Sequence, residues 1–284
     1  MRIKHILSIL MLMGLFHGAQ GQLLWEIRGN GLTTSSYLYG TVHINDERVF
    51  DFSDSVMVKF SQCEVFAGEI VIDPMAFSQK MSLLFMPGDT TLQDLLGEKE
   101  YREVHQALET KLTGMSQSTE RMKPLLLATL FLDLGQSTRS ASNKPPLDLY
   151  FQNLAKENEQ EVIGLETLEE QMAVFDQLPL KEQAKALHEH IIHQEKNIQL
   201  FKELLEYYLA GDLEGIHVHV EQQMDNLMFK EELLNKRNDR MVERILENIR
   251  SRSMFIGIGA AHLPGESGMI ALLQEKGFDV RPVE

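Results

Sequence analysis

The sequence predicts an α/β fold: a mostly parallel sheet with a large helical insertion between its N-terminal and C-terminal strands. Three observations carry this. Short apolar runs rich in β-branched and aromatic residues recur at wide intervals. Segments with helical apolar spacing separate them, and the chain ends in a β-α-β pattern. No internal repeat with a period of roughly 20–50 residues interrupts this order.

Taken along the chain, "SSYLYGTVH" reads as a strand that ends near Val42. "CEVFAGEIVI" (63–72) reads as a second strand, closed by Asp73-Pro74. From Asp89 the period changes, and "DTTLQDLLGEKEYREVHQALETKL" has helical spacing with an Asp/Thr start suited to capping. "PLLLATLFLDLG" (124–135) is apolar all round and predicts a buried helix. The polar run "GQSTRSASNKPP" (135–146) predicts a loop. A helix over 147–157 then leads to a short strand in "QEVIGLET", which ends at Glu166. Two long helices follow over 181–210 and 224–250. "SMFIGIGAAH" predicts a strand buried on both faces, and a helix over 267–276 precedes a last strand in "FDVRPV". The domain expectation is a signal peptide over 1–21 and one α/β domain over 22–284, with the helical insertion at about 75–250.

The signal peptide rests on Arg2 and Lys4, the apolar run Ile6 to Phe16, and small residues at Ala19-Gln20-Gly21. That run is shorter than the roughly 20 residues that span a bilayer. The expectation is an exported protein, periplasmic or secreted, with no integral membrane segment after signal cleavage. The net charge is −15, and removing the signal peptide takes away two cationic residues and no acidic one. Such a surface repels phosphate backbones, so nucleic acid is excluded as a partner class. Cys63 is the sole cysteine, which rules out an intrachain disulfide. Its apolar strand context makes it a small hydrophobe rather than a nucleophile.

Two tempting clusters carry little. "HEHIIH" (188–193) lacks a second histidine at position 192, and His188 and His193 project about 140° apart on a helix. His217 and His219 of "HVH" would share a face only on a strand, whereas their surroundings look helical or loop-like.

The two Gly-x-x-His units are different. Gly40–His43 and Gly259–His262 each fall late in a strand, and ligands of open α/β sheets collect at the carboxyl ends of strands. Glycine there permits close approach of another backbone or a ligand. Glu69 and Glu166 lie at matching positions in or after their strands, where a charge is costly unless paired or metal-bound. Two imidazoles with one or two carboxylates suit Zn²⁺, Mn²⁺ or Co²⁺, and the alternative is a set of separate buried salt bridges. Arg237-Asn238 interrupt the stripe Leu234, Met241, Ile245. They either satisfy helix packing or orient a ligand or one of the glutamates.

The chain resembles the TraB/GumN-like family, which includes the Tiki proteins. The resemblance runs through "LLWEIRGNGLTTSSYLYGTVHINDERVF", "FAGEIVIDP", "PGDTTLQDLLGEKEY", the lysine-proline of "ERMKPLLLATL", "LDLYFQNLAKENEQEVIGLETLEEQM", "LLNKRNDRMVERI" and "FIGIGAAHLPGESGMIALLQEKGFDVRPV". It implies a fold similar to erythromycin-esterase and ChaN-like proteins, and metal-dependent proteolysis through paired Gly-x-x-His histidines and a strand glutamate. Matched by motif, these are His43, His262 and Glu69, with Glu166, Arg237 and Asn238 in support. The family often shows Glu-x-Asp in the second strand, whereas Glu69-Ile70 is followed here by Val71. The expectation is an exported metal-dependent hydrolase acting on peptides or proteins. The alternative is a non-catalytic peptide- or signal-binding protein of the same fold.

Overall fold

The computed structural model describes residues 22–44, 46–112, 116–136, 142–223 and 231–283. The expected signal peptide and residues 137–141 of the expected loop lie outside the described residues. Six strands form one sheet in the order β4-β3-β5-β2-β1-β6. They are β1 (Leu24–Arg28), β2 (Ser36–Thr41), β3 (Val65–Gly68), β4 (Glu161–Gly164), β5 (Met254–Gly259) and β6 (Asp279–Pro282). Neighbours from β4 to β2 run parallel, and β1 runs antiparallel to both β2 and β6.

The sequence reading missed β1. It forms a hairpin with β2 through a tight turn in which Gly29, Asn30 and Gly31 all take positive φ (77°, 48° and 84°). Glycine and asparagine tolerate that conformation. The β5 prediction holds, because all but its last residue are buried.

The helices, in order, are α1 (Asp54–Gln62), α2 (Pro74–Gln79), α3 (Leu92–Leu95), α4 (Glu98–Lys111), α5 (Ser116–Thr119), α6 (Pro124–Gln136) and α7 (Leu147–Glu157). After β4 come α8 (Leu168–Asp176), α9 (Leu180–Ile192), α10 (Gln194–Leu209), α11 (Leu213–Gln223), α12 (Lys236–Ile249) and α13 (Met269–Glu275). The single helix expected over 181–210 breaks into α9 and α10 at His193, whose φ of −104° and ψ of 23° leave the helical region. The helix expected over 224–250 is described from 231 onward, as one π-helical turn (Glu231–Asn235) followed by α12. β4 falls inside the segment 75–250, so the helices there group on either side of a strand that belongs to the main sheet.

Among the described residues two apolar cores result. Beneath the sheet, Tyr39, Phe60, Phe66, Phe151 and Phe255 pack ring against ring, with centroids 5.2–6.4 Å apart. Phe151 of α7 touches all four of the others, which fixes α7 against the strands. A separate core lies among α3, α4, α6 and α9, built on Leu92, Val104, Leu108, Leu127, Phe131 and Leu187. No described helix is long and apolar enough to cross a membrane. Cys63 is buried and free, and burial pushes its thiol up to about 12, as expected of an inert thiol.

Candidate active site

The carboxyl ends of the four parallel strands converge. His43 follows β2, Glu69 follows β3, Glu166 follows β4 and His262 follows β5, and α12 brings Arg237 and Asn238 over the same edge. Backbone bonds carry the β3–β4 pairing on past the strands, from Leu165 N–H to Gly68 O at 2.8 Å and from Glu166 N–H to Glu69 O at 2.7 Å. The six residues singled out from sequence therefore meet in one place.

Glu69 sits at the centre. Its Oε1 accepts from Gly259 N–H at 2.7 Å and lies 3.6 Å from His43 Nε2 and 4.0 Å from His262 Nε2. Its Oε2 accepts from Arg237 Nη2 at 2.7 Å and from Gln171 Nε2 at 3.3 Å. The other nitrogen of each imidazole is engaged from behind. His43 Nδ1 makes a 2.7 Å ion-pair contact with Asp148 Oδ2, and Thr41 Oγ1 donates to Asp148 Oδ1. His262 Nδ1 lies 2.6 Å from Asn238 Oδ1, whose amide nitrogen donates to Ser267 O at 2.7 Å. That donation assigns Oδ1 as the acceptor and Nδ1 of His262 as the protonated nitrogen. Both Nε2 atoms consequently lie on the side of their rings that faces one carboxylate oxygen.

The two glycines explain this closeness. A Cβ on Gly259 would stand 3.1 Å from Glu69 Oε1, 3.6 Å from His262 Cδ2 and 3.8 Å from His43 Nε2. A Cβ on Gly40 would meet Ala260, in the turn before His262, at 3.1–3.2 Å.

The electrostatics divide the histidines. Burial holds His262 neutral, down to about 4, with Glu69 opposing and Arg237 assisting. For His43 burial also disfavours the charge, but Asp148 and then Glu69 outweigh it and lift the ring well above the ordinary imidazole value. One side of that ring opens into the cleft, and its side chain is 62% exposed. Burial acts to raise Glu69, yet His43, His262 and Arg237 together hold it well below the carboxylate range.

Glu166 is fully buried and committed to arginines. Its Oε2 accepts from Arg237 Nε at 2.8 Å and Nη2 at 2.6 Å, and its Oε1 accepts from Arg240 Nη2 at 3.0 Å. Val71 does not face the histidines. It lines a neighbouring crevice with Ile72, Phe77 and Glu166. The polar cluster opens into a cleft of about 560 Å³ walled by Phe66, Leu126, Leu149, Met172, Phe175 and Phe201.

Asp148, Gln171, Thr41 and Arg240 were not read from the sequence. Asp148 is the second residue of a helix that follows two prolines, and an acidic residue there is ordinarily read as a helix-dipole partner. Of the two side clusters, His188 lies 2.7 Å from Glu103 and His219 is buried near Tyr207. Neither reaches this site.

The model of the TraB/PrgY/gumN family matches residues 23–282. Among curated proteins, Metalloprotease TIKI1 of Xenopus tropicalis is 27% identical, over 90% of this chain and 60% of that protein. Metalloprotease TIKI1 of Homo sapiens is 24% identical over 90% and 61% of the two chains. A Metalloprotease TIKI homolog of Nematostella vectensis is 22% identical over 92% and 67%. This chain spans about three fifths of the length of the TIKI1 proteins it matches. No solved structure matches it.

Those names imply a divalent metal. Among the described residues no group of three or more His, Cys, Asp or Glu side chains is arranged so that it could hold a metal ion as it stands. The donor chemistry nevertheless fits. Ligands bound at about 2.1 Å in a tetrahedron stand roughly 3.4 Å apart, and His43 Nε2 and His262 Nε2 lie 3.6 and 4.0 Å from Glu69 Oε1, the second wider than a bound ion would hold it. The missing Cβ of Gly259 leaves space between the donors. Each imidazole has the backing partner that metal-bound histidines ordinarily have.

Proposed function

The chain belongs to the TraB/PrgY/gumN family, and from that footing we propose that it is an exported metal-dependent peptidase acting on peptide or protein substrates. The observation that carries this reading is the convergence of His43 Nε2 and His262 Nε2 on Glu69 Oε1, with both Nδ1 atoms engaged from behind. His43, His262 and Glu69 would hold a divalent ion, Mn²⁺, Co²⁺ or Zn²⁺. When bound, such an ion supplies an activated water and polarises a carbonyl.

The chain's own groups do the rest. Asp148 and Asn238 fix the ring planes. Glu166, itself held by Arg240, anchors Arg237, and Arg237 pins Glu69 so that its Oε1 stays aimed at both histidines. Glu69, held ionised by its cationic neighbours, suits a ligand better than a proton acceptor, because a base with a strongly depressed pKa takes up a proton poorly. The apolar walls keep an extended chain and exclude water around it.

Purified protein stripped with a chelator and reloaded with each metal tests the reading against a mixed peptide library read by mass spectrometry. Hydrolysis should require metal, and His262→Ala and Glu69→Gln should each abolish both turnover and metal-dependent thermal stabilisation. Metal-stimulated cleavage indifferent to both substitutions would sink the assignment.

One observation favours the second reading, a binding protein without chemistry. Glu69 is already satisfied by Gly259 N–H and Arg237, so the polar cluster stands without an ion. That reading requires peptide binding with no product in the same assay.

A further inference from the structure

A second cleft, of about 940 Å³, opens at the C-terminal end of α8. One wall of α8 serves the candidate active site through Gln171, Met172 and Phe175, while its last residue, Asp176, lines this second cleft. Lys123, the lysine of the Lys-Pro pair that begins α6, lies on the floor with its side chain only 6% exposed. Among the described residues its ammonium meets one carboxylate, Asp176 Oδ1 at 2.6 Å, on a side chain that is 55% exposed. Burying a lysine against one solvent-facing partner is a poor stabilising device, since desolvation consumes most of the Coulombic gain. Arg121 supplies a second cation at the mouth, 46% exposed, 3.6 Å from the fully exposed Asp89 carboxylate and donating to Gly88 O. Each of the two cations is thus matched only to a solvent-facing carboxylate, Asp176 or Asp89, which the carboxylate of a guest can displace.

The remaining surface is specific too. Gln183 is wholly buried and donates from Nε2 to Phe175 O (2.7 Å) and Leu178 O (2.8 Å). Two carbonyl partners fix which end is the amide, and its Oε1 is left buried with no donor. An unmet buried acceptor is costly, so a cleft floor of this kind favours a guest that carries an N–H. Leu83, Phe85, Met86 and Leu180 make the apolar side.

We propose that this cleft is a second, non-catalytic site that binds the C-terminal residue of a peptide whose last side chain is apolar. The carboxylate meets Lys123 and Arg121, the side chain packs on Leu83, Phe85 and Met86, and the terminal amide N–H supplies the donor that the Gln183 end of the cleft lacks. A free fatty carboxylate shares the charge and the apolar body but has no N–H. The site shares no residue with the His43–Glu69–His262 cluster, so it stands whether or not the peptidase reading does.

The test uses the full chain in the presence of EDTA and a fluorescein-labelled hexapeptide ending in Leu-Leu, followed by anisotropy. The free acid should bind, and its C-terminal amide should bind at least tenfold more weakly. Arg121→Ala, at the exposed rim, and Lys123→Met should each weaken the acid form about tenfold and leave the amide unchanged. His262→Ala should change neither. Equal affinity of acid and amide would overturn the proposal. Acid binding unaltered by Arg121→Ala in a protein that melts like wild type would also overturn it, as would decanoate displacing the peptide at equal or lower concentration than unlabelled peptide. Arg121→Ala keeps the test decisive if Lys123→Met fails to fold.

Discussion

At the scale of single residues, the site depends on groups that touch the imidazoles from behind. Asp148 faces His43 Nδ1 at 2.7 Å and is itself held by Thr41. Asp148→Asn keeps the shape and removes the charge, so the His43 ring loses its ionic anchor. Metal affinity measured by calorimetry should fall about 10–100-fold with little change in melting temperature. Asn238→Ala is different in kind, because His262 is almost fully buried. Its Nδ1 would lose its acceptor in the interior, which costs about 1–3 kcal/mol. Urea denaturation should show that loss even with metal absent, whereas Asp148→Asn should not. His43, Glu69, Glu166, Arg237, Asn238 and His262 could be singled out because a charge or imidazole in an apolar run is conspicuous. Asp148 and Gln171 could not, since each sits on an ordinary amphipathic helix, and only the docking of α7 and α8 against the sheet turns them inward.

At the scale of elements, the two Gly-x-x-His units are one interlocked feature of β2 and β5, and substituting the two glycines should separate their roles. Gly259 has φ −52°, so alanine there meets no backbone strain. It meets Glu69 Oε1 at 3.1 Å, on a carboxylate held by Arg237. Gly259→Ala should therefore abolish metal-dependent stabilisation while the metal-free protein melts near wild type. Gly40→Ala instead drives a methyl into Ala260 and Leu23, forcing the strands apart by a few tenths of an ångström. Overpacking of this kind costs about 1–3 kcal/mol, visible in the metal-free melt.

A second element-level tie joins α8 to α12, where Arg244 grips Glu170 through both nitrogens at 2.6 and 2.8 Å. The hydrogen bonds from Arg244 bring the Glu170 carboxyl down to about 2. A carboxyl depressed in the folded state stabilises above its ordinary pKa, near 4.5, and that contribution disappears as pH falls from there to about 2. Both partners are about a third exposed, so screening limits the contribution to ~1 kcal/mol. Glu170→Gln should be less stable than wild type at pH 7 by about that amount, and urea melts should converge near pH 2. A difference that persisted at pH 2 would show that the helix contact rests on packing instead.

At the scale of the whole molecule, the protein is a sheet core carrying the candidate site and a helical core that shapes one wall of its cleft. The α/β class was legible because strands buried on both faces are continuous apolar runs and the intervening helices are amphipathic. The division into two cores was not, because apolar spacing says that a face is buried without saying against what. α6 joins the two, placing Leu127 and Phe131 in the helical core and Leu126 and Thr129 in the cleft wall. Phe131 is 1% exposed, and Phe131→Ala should cost about 3–5 kcal/mol. That loss should fall on one core. Hydrogen exchange should show lost protection in α4, α6 and α9, with β2, β3 and β5 unchanged, since the aromatic stack on Phe151 is independent of Phe131. Metal affinity should hold, because His43, His262 and Glu69 stand on the strands, while KM for peptide should rise as the α6 wall loosens. If protection is lost across both cores together, the molecule folds as one cooperative unit and the cleft wall is as rigid as the sheet beneath it.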